Sequence, residues 1–136
     1  MSDPKAAFTG YTRYRATGQL AFVLHRLTGL GVLLFLLIHI VDTSFVYFAP
    51  ELYDHAIQIY RSLPFMIGEI FLVWAVFYHG LNGLRIIVFD LWKPEWWEKD
   101  IAVKSVYWVL ILSTLAWLPA AFIMGKAVVE HHFLGG

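Results

Sequence analysis

Three apolar blocks, each longer than a bilayer is thick, leave this chain few folds to choose from. They fall at residues 20–48, 64–91 and 101–129 of a 136-residue sequence. A helix needs about 20 apolar residues to cross the hydrocarbon core, so each block is long enough, with some tilt or protrusion into the headgroups. The blocks are separated by short polar stretches, and the whole is 60% hydrophobic and only 15% charged. A soluble domain of this size would need far more polar surface. The expected fold is therefore all-α: one integral membrane domain, residues 1–136, with three transmembrane helices. About nineteen polar or mixed residues precede the first block and show no short apolar core with a small-residue cleavage site, so a retained span is expected rather than a signal peptide.

Basic residues set the expected orientation. Lys5, Arg13, Arg15, Arg26, Arg85, Lys93, Lys99 and Lys104 fall on one side, and only Arg61 and Lys126 on the other. The positive-inside bias puts the N-terminus and the loop around residues 92–100 in the cytoplasm, and the 49–63 loop and C-terminus outside. In that outer loop Leu52, Ala56, Ile59 and Tyr60 recur at helical spacing, which predicts a short interfacial helix at about 51–61. Trp92, Trp96 and Trp97 of the inner loop read mainly as an aromatic belt at the headgroups. Zero net charge gives no sign of a nucleic-acid partner. The absence of cysteine excludes disulfides, iron–sulfur ligation and covalent c-type haem.

The chemistry lies in polar residues at membrane depth. His79 sits fifteen residues into the second block, followed by Gly80 and Gly83. An ionisable side chain there costs about 2–3 kcal/mol on the gentlest insertion scale, so it marks a functional site or a hydrogen bond across helices. Neutral imidazole is the residue best suited to ligate a metal in such surroundings. Gly80 and Gly83 are expected to clear room beside it for something large and flat. The combination points to a haem b inside the membrane and so to electron transfer. His25 and Arg26 open the first span, while Asn82 and Arg85 follow His79 toward the same side. At 1.5 Å per residue Arg85 lies about 9 Å nearer the cytoplasm than His79. Arg26, Arg85 and His25 are then the natural cations for haem propionates.

His39 lies about 21 Å along the helix from His25, too far to serve the same haem as His79. It reads either as the ligand of a second, outer haem, its ring oriented by Asp42, or as an interhelix hydrogen-bonding group. Glu69 and Asp90 are near enough to the span ends to reach water, and His55, His131 and His132 read as solvated.

Two motifs resemble a known family. His25-Arg26-Leu27-Thr28-Gly29 opens the first span, and His79-Gly80-Leu81-Asn82-Gly83-Leu84-Arg85, followed by Asp90, closes the second. With the three-span topology they resemble the cytochrome b membrane anchor of succinate dehydrogenase (succinate:quinone oxidoreductase, complex II). The resemblance implies a haem b shared with a second membrane-anchor subunit, with His79 as this chain's axial ligand and the other axial histidine on that subunit. It implies a flavoprotein and an iron–sulfur subunit docked on the cytoplasmic face of a bacterial inner membrane. It further implies quinone reduction near Arg26, with His25 reaching a propionate. Phe22 stands where many members carry a quinone-binding serine, and Ile86 where many carry histidine. The Phe22 departure leaves ubiquinone, menaquinone or a displaced pocket open, and His39 leaves one haem or two. The rival readings are a cytochrome b of another respiratory complex and a haem-free anchor held by close glycine packing.

Overall fold

The computed structural model describes residues 4–135, and the side chains of Lys5, Arg13 and Lys99, which carry part of the charge bias, lie outside that description. Helix α1 runs Pro4–Phe48, α2 Pro50–Tyr60, α3 Leu63–Leu91 and α4 Lys99–His132, with a 3-10 turn at Pro94–Trp97 between α3 and α4. No strand occurs among the described residues. Within these helices, Tyr14–Phe48, Leu63–Leu91 and Asp100–His132 are long and apolar enough to cross a bilayer. The chain is an all-α membrane protein. At 45 residues α1 is about 67 Å long, well beyond the membrane thickness. Its apolar stretch simply continues a helix that starts sixteen residues before the first apolar block.

Prolines punctuate the chain. Ala49, ahead of Pro50, is pushed to φ −156°, ψ 73° and parts α1 from α2. Pro64 falls in the first turn of α3, where its missing N–H is no loss. Pro94 opens the 3-10 turn after Trp92 and Lys93 have both donated to the Val88 carbonyl. Pro119 lies inside α4, where its ring removes one rung of the helix ladder.

Helix α3 lies between α4 and α1 and packs most extensively on α4. The interior is thin, as expected for a single chain in lipid. It holds Ala21, Thr17 and Thr28 of α1, Tyr78, Asn82 and Phe89 of α3, and Ala102, Val106, Val109, Ser113 and Val128 of α4. Polar bonds pin the helices together. The Tyr78 hydroxyl donates to the Ala21 carbonyl (3.2 Å), and the Trp74 indole, stacked on Tyr78 (centroids 5.2 Å apart), donates to Thr114 Oγ1 (3.3 Å). Trp117 donates to the Ile70 carbonyl (2.8 Å). Apolar packing is no driving force against lipid tails that are equally apolar, so such bonds and close backbone approach decide where membrane helices meet.

Candidate functional site

The crossing of α1 and α3 joins the two sequence motifs. The imidazoles of His25 and His79 stack with centroids 4.1 Å apart and planes 9° from parallel. His79 Nδ1 lies 3.1 Å from the His25 carbonyl oxygen and 3.5 Å from Thr28 Oγ1. A carbonyl can only accept, so in the neutral ring the proton sits on Nδ1 and donates. Nε2 is left with the free lone pair and makes no hydrogen bond among the described residues. Thr28 is buried, and its hydroxyl donates to the Leu24 carbonyl (2.7 Å), with the His25 carbonyl at 3.2 Å.

The glycine that makes room for His79 is Gly29. A Cβ there would lie 2.7 Å from His79 Cε1 and 3.2 Å from Nδ1, so any side chain would displace the ring. A Cβ at Gly83 would make an ordinary 3.8 Å contact with His25 Cε1, and one at Gly80 would meet nothing within 4 Å. The expected role of Gly80 and Gly83, clearing room for a large flat group, is a separate matter from the space that the imidazole itself occupies. That space comes from the opposite helix, because the register of the α1–α3 crossing decides which backbone faces the ring. His25 Nδ1 is buried without a hydrogen-bond partner, a state that costs about 1–3 kcal/mol.

Arg85 turns toward α4. Its Nε donates to Ser105 Oγ (2.6 Å), Nη2 to the Ala102 carbonyl (3.2 Å) and Nη1 to Asn82 Oδ1 (3.4 Å). Its guanidinium carbon also lies 5.0 Å from the Phe89 centroid and 5.2 Å from that of Trp97. The ion pairs among the described residues are Lys93–Glu95 and Lys126–Glu130, so Arg85 has no carboxylate beside it. Dipoles and ring faces hold the charge instead.

A cavity of about 200 Å³ opens here between α1, α3, α4 and the 3-10 turn, lined among others by Tyr14, Phe22, His25, Asn82, Arg85 and Trp97. Trp97 departs from the aromatic-belt reading. Its indole donates to Asp90 Oδ1 (2.9 Å), and its ring meets Phe89 edge-on and lies beside Arg85. Sequence periodicity could not show this, because the fold-back is made by the Pro94 turn.

Arg26 is set apart from this group. It is exposed, with its guanidinium 5.3 Å from the Phe22 centroid. Adjacent helix residues point about 100° apart, so His25 turns to α3 while Arg26 turns outward. His39 is exposed on α1, its ring stacked near Phe35 (5.4 Å), and Asp42 makes no hydrogen bond to it among the described residues. His132, also exposed, has Nε2 3.0 Å from the Arg61 carbonyl. No three His, Asp or Glu side chains converge among the described residues.

Comparison with known proteins agrees with this architecture. A family model described as "Succinate dehydrogenase/Fumarate reductase transmembrane subunit" matches residues 1–120. The chain is also similar to a Mycobacterium tuberculosis protein named "Succinate dehydrogenase 2 membrane subunit SdhC". The two are 30% identical over 122 residues, which is 88% of this chain and 87% of that protein.

Proposed function

Since this chain belongs to the succinate dehydrogenase/fumarate reductase transmembrane subunit family, we propose that it is the cytochrome b anchor of a bacterial succinate:quinone oxidoreductase, in which His79 would ligate haem b. The observation that carries this reading is the state of His79. It is half-buried inside a bilayer-length helix, its Nδ1 is committed to a carbonyl, and its Nε2 is left free. A haem-ligating histidine needs that arrangement, because the hydrogen bond on one nitrogen orients the other. The residues present fit the group: Gly29 leaves the ring room that a Cβ would fill, and the orphaned His25 Nδ1 can donate to a propionate. Arg85, which has no carboxylate of its own, is a second propionate cation in this reading. When bound, the haem supplies a one-electron relay between the iron–sulfur subunit and quinone.

The chain's own residues bind and orient. Arg26 hydrogen-bonds a quinone oxygen, menaquinone or ubiquinone, and stabilises the charge that builds on reduction. Phe22, beside Arg26 and at the wall of the cavity, contacts the quinone ring. Succinate chemistry stays on the flavoprotein partner. A second anchor subunit would complete the bundle and bring a second histidine to the haem. The N-terminus and the turn at Pro94–Trp97 face the cytoplasm, and α2 lies at the outer interface.

A reduced-minus-oxidised spectrum of the purified complex tests the reading, with haem b counted against flavin. One haem per flavin, lost in His79→Ala, is expected. Two would assign the outer one to His39. None would leave a haem-free anchor.

A further inference from the structure

The geometry points to Thr28 and Gly29 as positioning residues for His79. Gly29 lets the imidazole of α3 lie flat on α1, and Thr28 Oγ1 joins the His25 carbonyl in holding the Nδ1 proton, so that Nε2 carries the free lone pair. The inference rests on His79 being the haem ligand and deepens that reading.

Three observations converge on one ring. The first is the acceptor pair. The His25 carbonyl oxygen is 3.1 Å and Thr28 Oγ1 3.5 Å from Nδ1. Both come from a single turn of α1, four residues and one residue ahead of Gly29, so the ring is read by a short rigid element rather than by a loop. The second is the direction of the threonine hydroxyl. Its one hydrogen is engaged by the Leu24 carbonyl at 2.7 Å. Toward His79 the oxygen can therefore only accept, and it reinforces the same protonation pattern as the carbonyl. The third is steric. A Cβ at position 29 would stand 2.7 Å from Cε1, 3.2 Å from Nδ1 and 3.6 Å from Nε2. The ring would have to turn or retreat, and Nδ1 would leave the carbonyl that orients it.

Such supporting partners raise a histidine's basicity as a ligand, and their loss costs about 10–100-fold in metal affinity or activity. A more basic imidazole favours the oxidised metal, so weakening the bond raises the midpoint potential.

The test uses the whole purified complex carrying Thr28→Val, Thr28→Ser, Gly29→Ala or Gly31→Ala, the last at a position where a Cβ meets nothing within 4 Å. Thr28→Val is expected to keep its haem and to shift the oxidised/reduced equilibrium about threefold toward the reduced form, a midpoint about 28 mV higher at about 59 mV per tenfold. Thr28→Ser restores the wild-type potential. Gly29→Ala is expected to lose haem about tenfold or more, or to shift the low-temperature EPR signal of what remains, while Gly31→Ala matches wild type. Wild-type potentials and spectra in both Thr28→Val and Gly29→Ala would overturn the inference. A readout independent of haem separates it from the parent reading. In the 15N-histidine-labelled full chain before haem loading, NMR should show His79 mainly as the Nδ1–H tautomer, with that population falling in Gly29→Ala. Mainly Nε2–H in the wild-type chain overturns the positioning role. Haem retained in His79→Ala, with the Nδ1–H tautomer intact in wild type, overturns only the ligand reading.

Discussion

The two halves of α1 live in opposite worlds. Up to Thr28 the helix packs Thr17, Ala21 and Thr28 into the interior and lies beside His79 and Tyr78 of α3. In its second half, every residue from 33 to 41 is exposed. Leucine and isoleucine need no protein cover in lipid, whereas a carbonyl, imidazole or guanidinium does. Polar residues therefore decide where α1 is held, and apolar ones decide only that it is in the membrane. His25 and His79 find each other, while His39 finds only Phe35 on its own helix.

The sharpest test of that contrast is a pair of truncations. His79→Ala should strip haem b from the complex almost completely, while His39→Ala should leave the haem-to-flavin ratio unchanged. Equal losses would erase the distinction between the halves. Arg85→Ala comes next. It removes the donor from Ser105, Ala102 and Asn82 and the cation from two aromatic faces. It should cost about 2–3 kcal/mol, read as lowered thermal stability in detergent. Arg85→Lys should rescue only partly, because an ammonium cannot span three acceptors in a plane.

Arg26→Ala acts on the outward face. It should lower quinone reductase activity about tenfold, about 1.4 kcal/mol, while succinate oxidation with a soluble dye acceptor is spared. Equal loss of both activities would remove Arg26 from the quinone site. The smallest effect belongs to Trp117→Phe. It deletes one interhelical bond, to the Ile70 carbonyl, and should cost about 0.6 kcal/mol in the same thermal assay.

Length and hydropathy alone made the class of this protein legible. Three stretches too long and too apolar for a soluble fold must become membrane helices, because an unbroken apolar stretch of that length can satisfy its own backbone in lipid only as a helix. His79 stood out for the same reason, as an imidazole at a depth where a polar group needs a partner. Which partner it has was not legible. Gly29, Thr28 and the His25 carbonyl meet His79 through the register of α1 against α3. The parting of Arg26 from His25 follows from helix geometry only once the buried face of α1 is known. Trp97 joins Arg85 through a proline turn that leaves no periodic trace. The sequence determined which groups lie at each depth, because depth is set by counting residues along a helix. Only the tertiary structure decided which of them touch, because contact depends on how each helix is rotated about its axis, and lipid gives an apolar helix no preferred face.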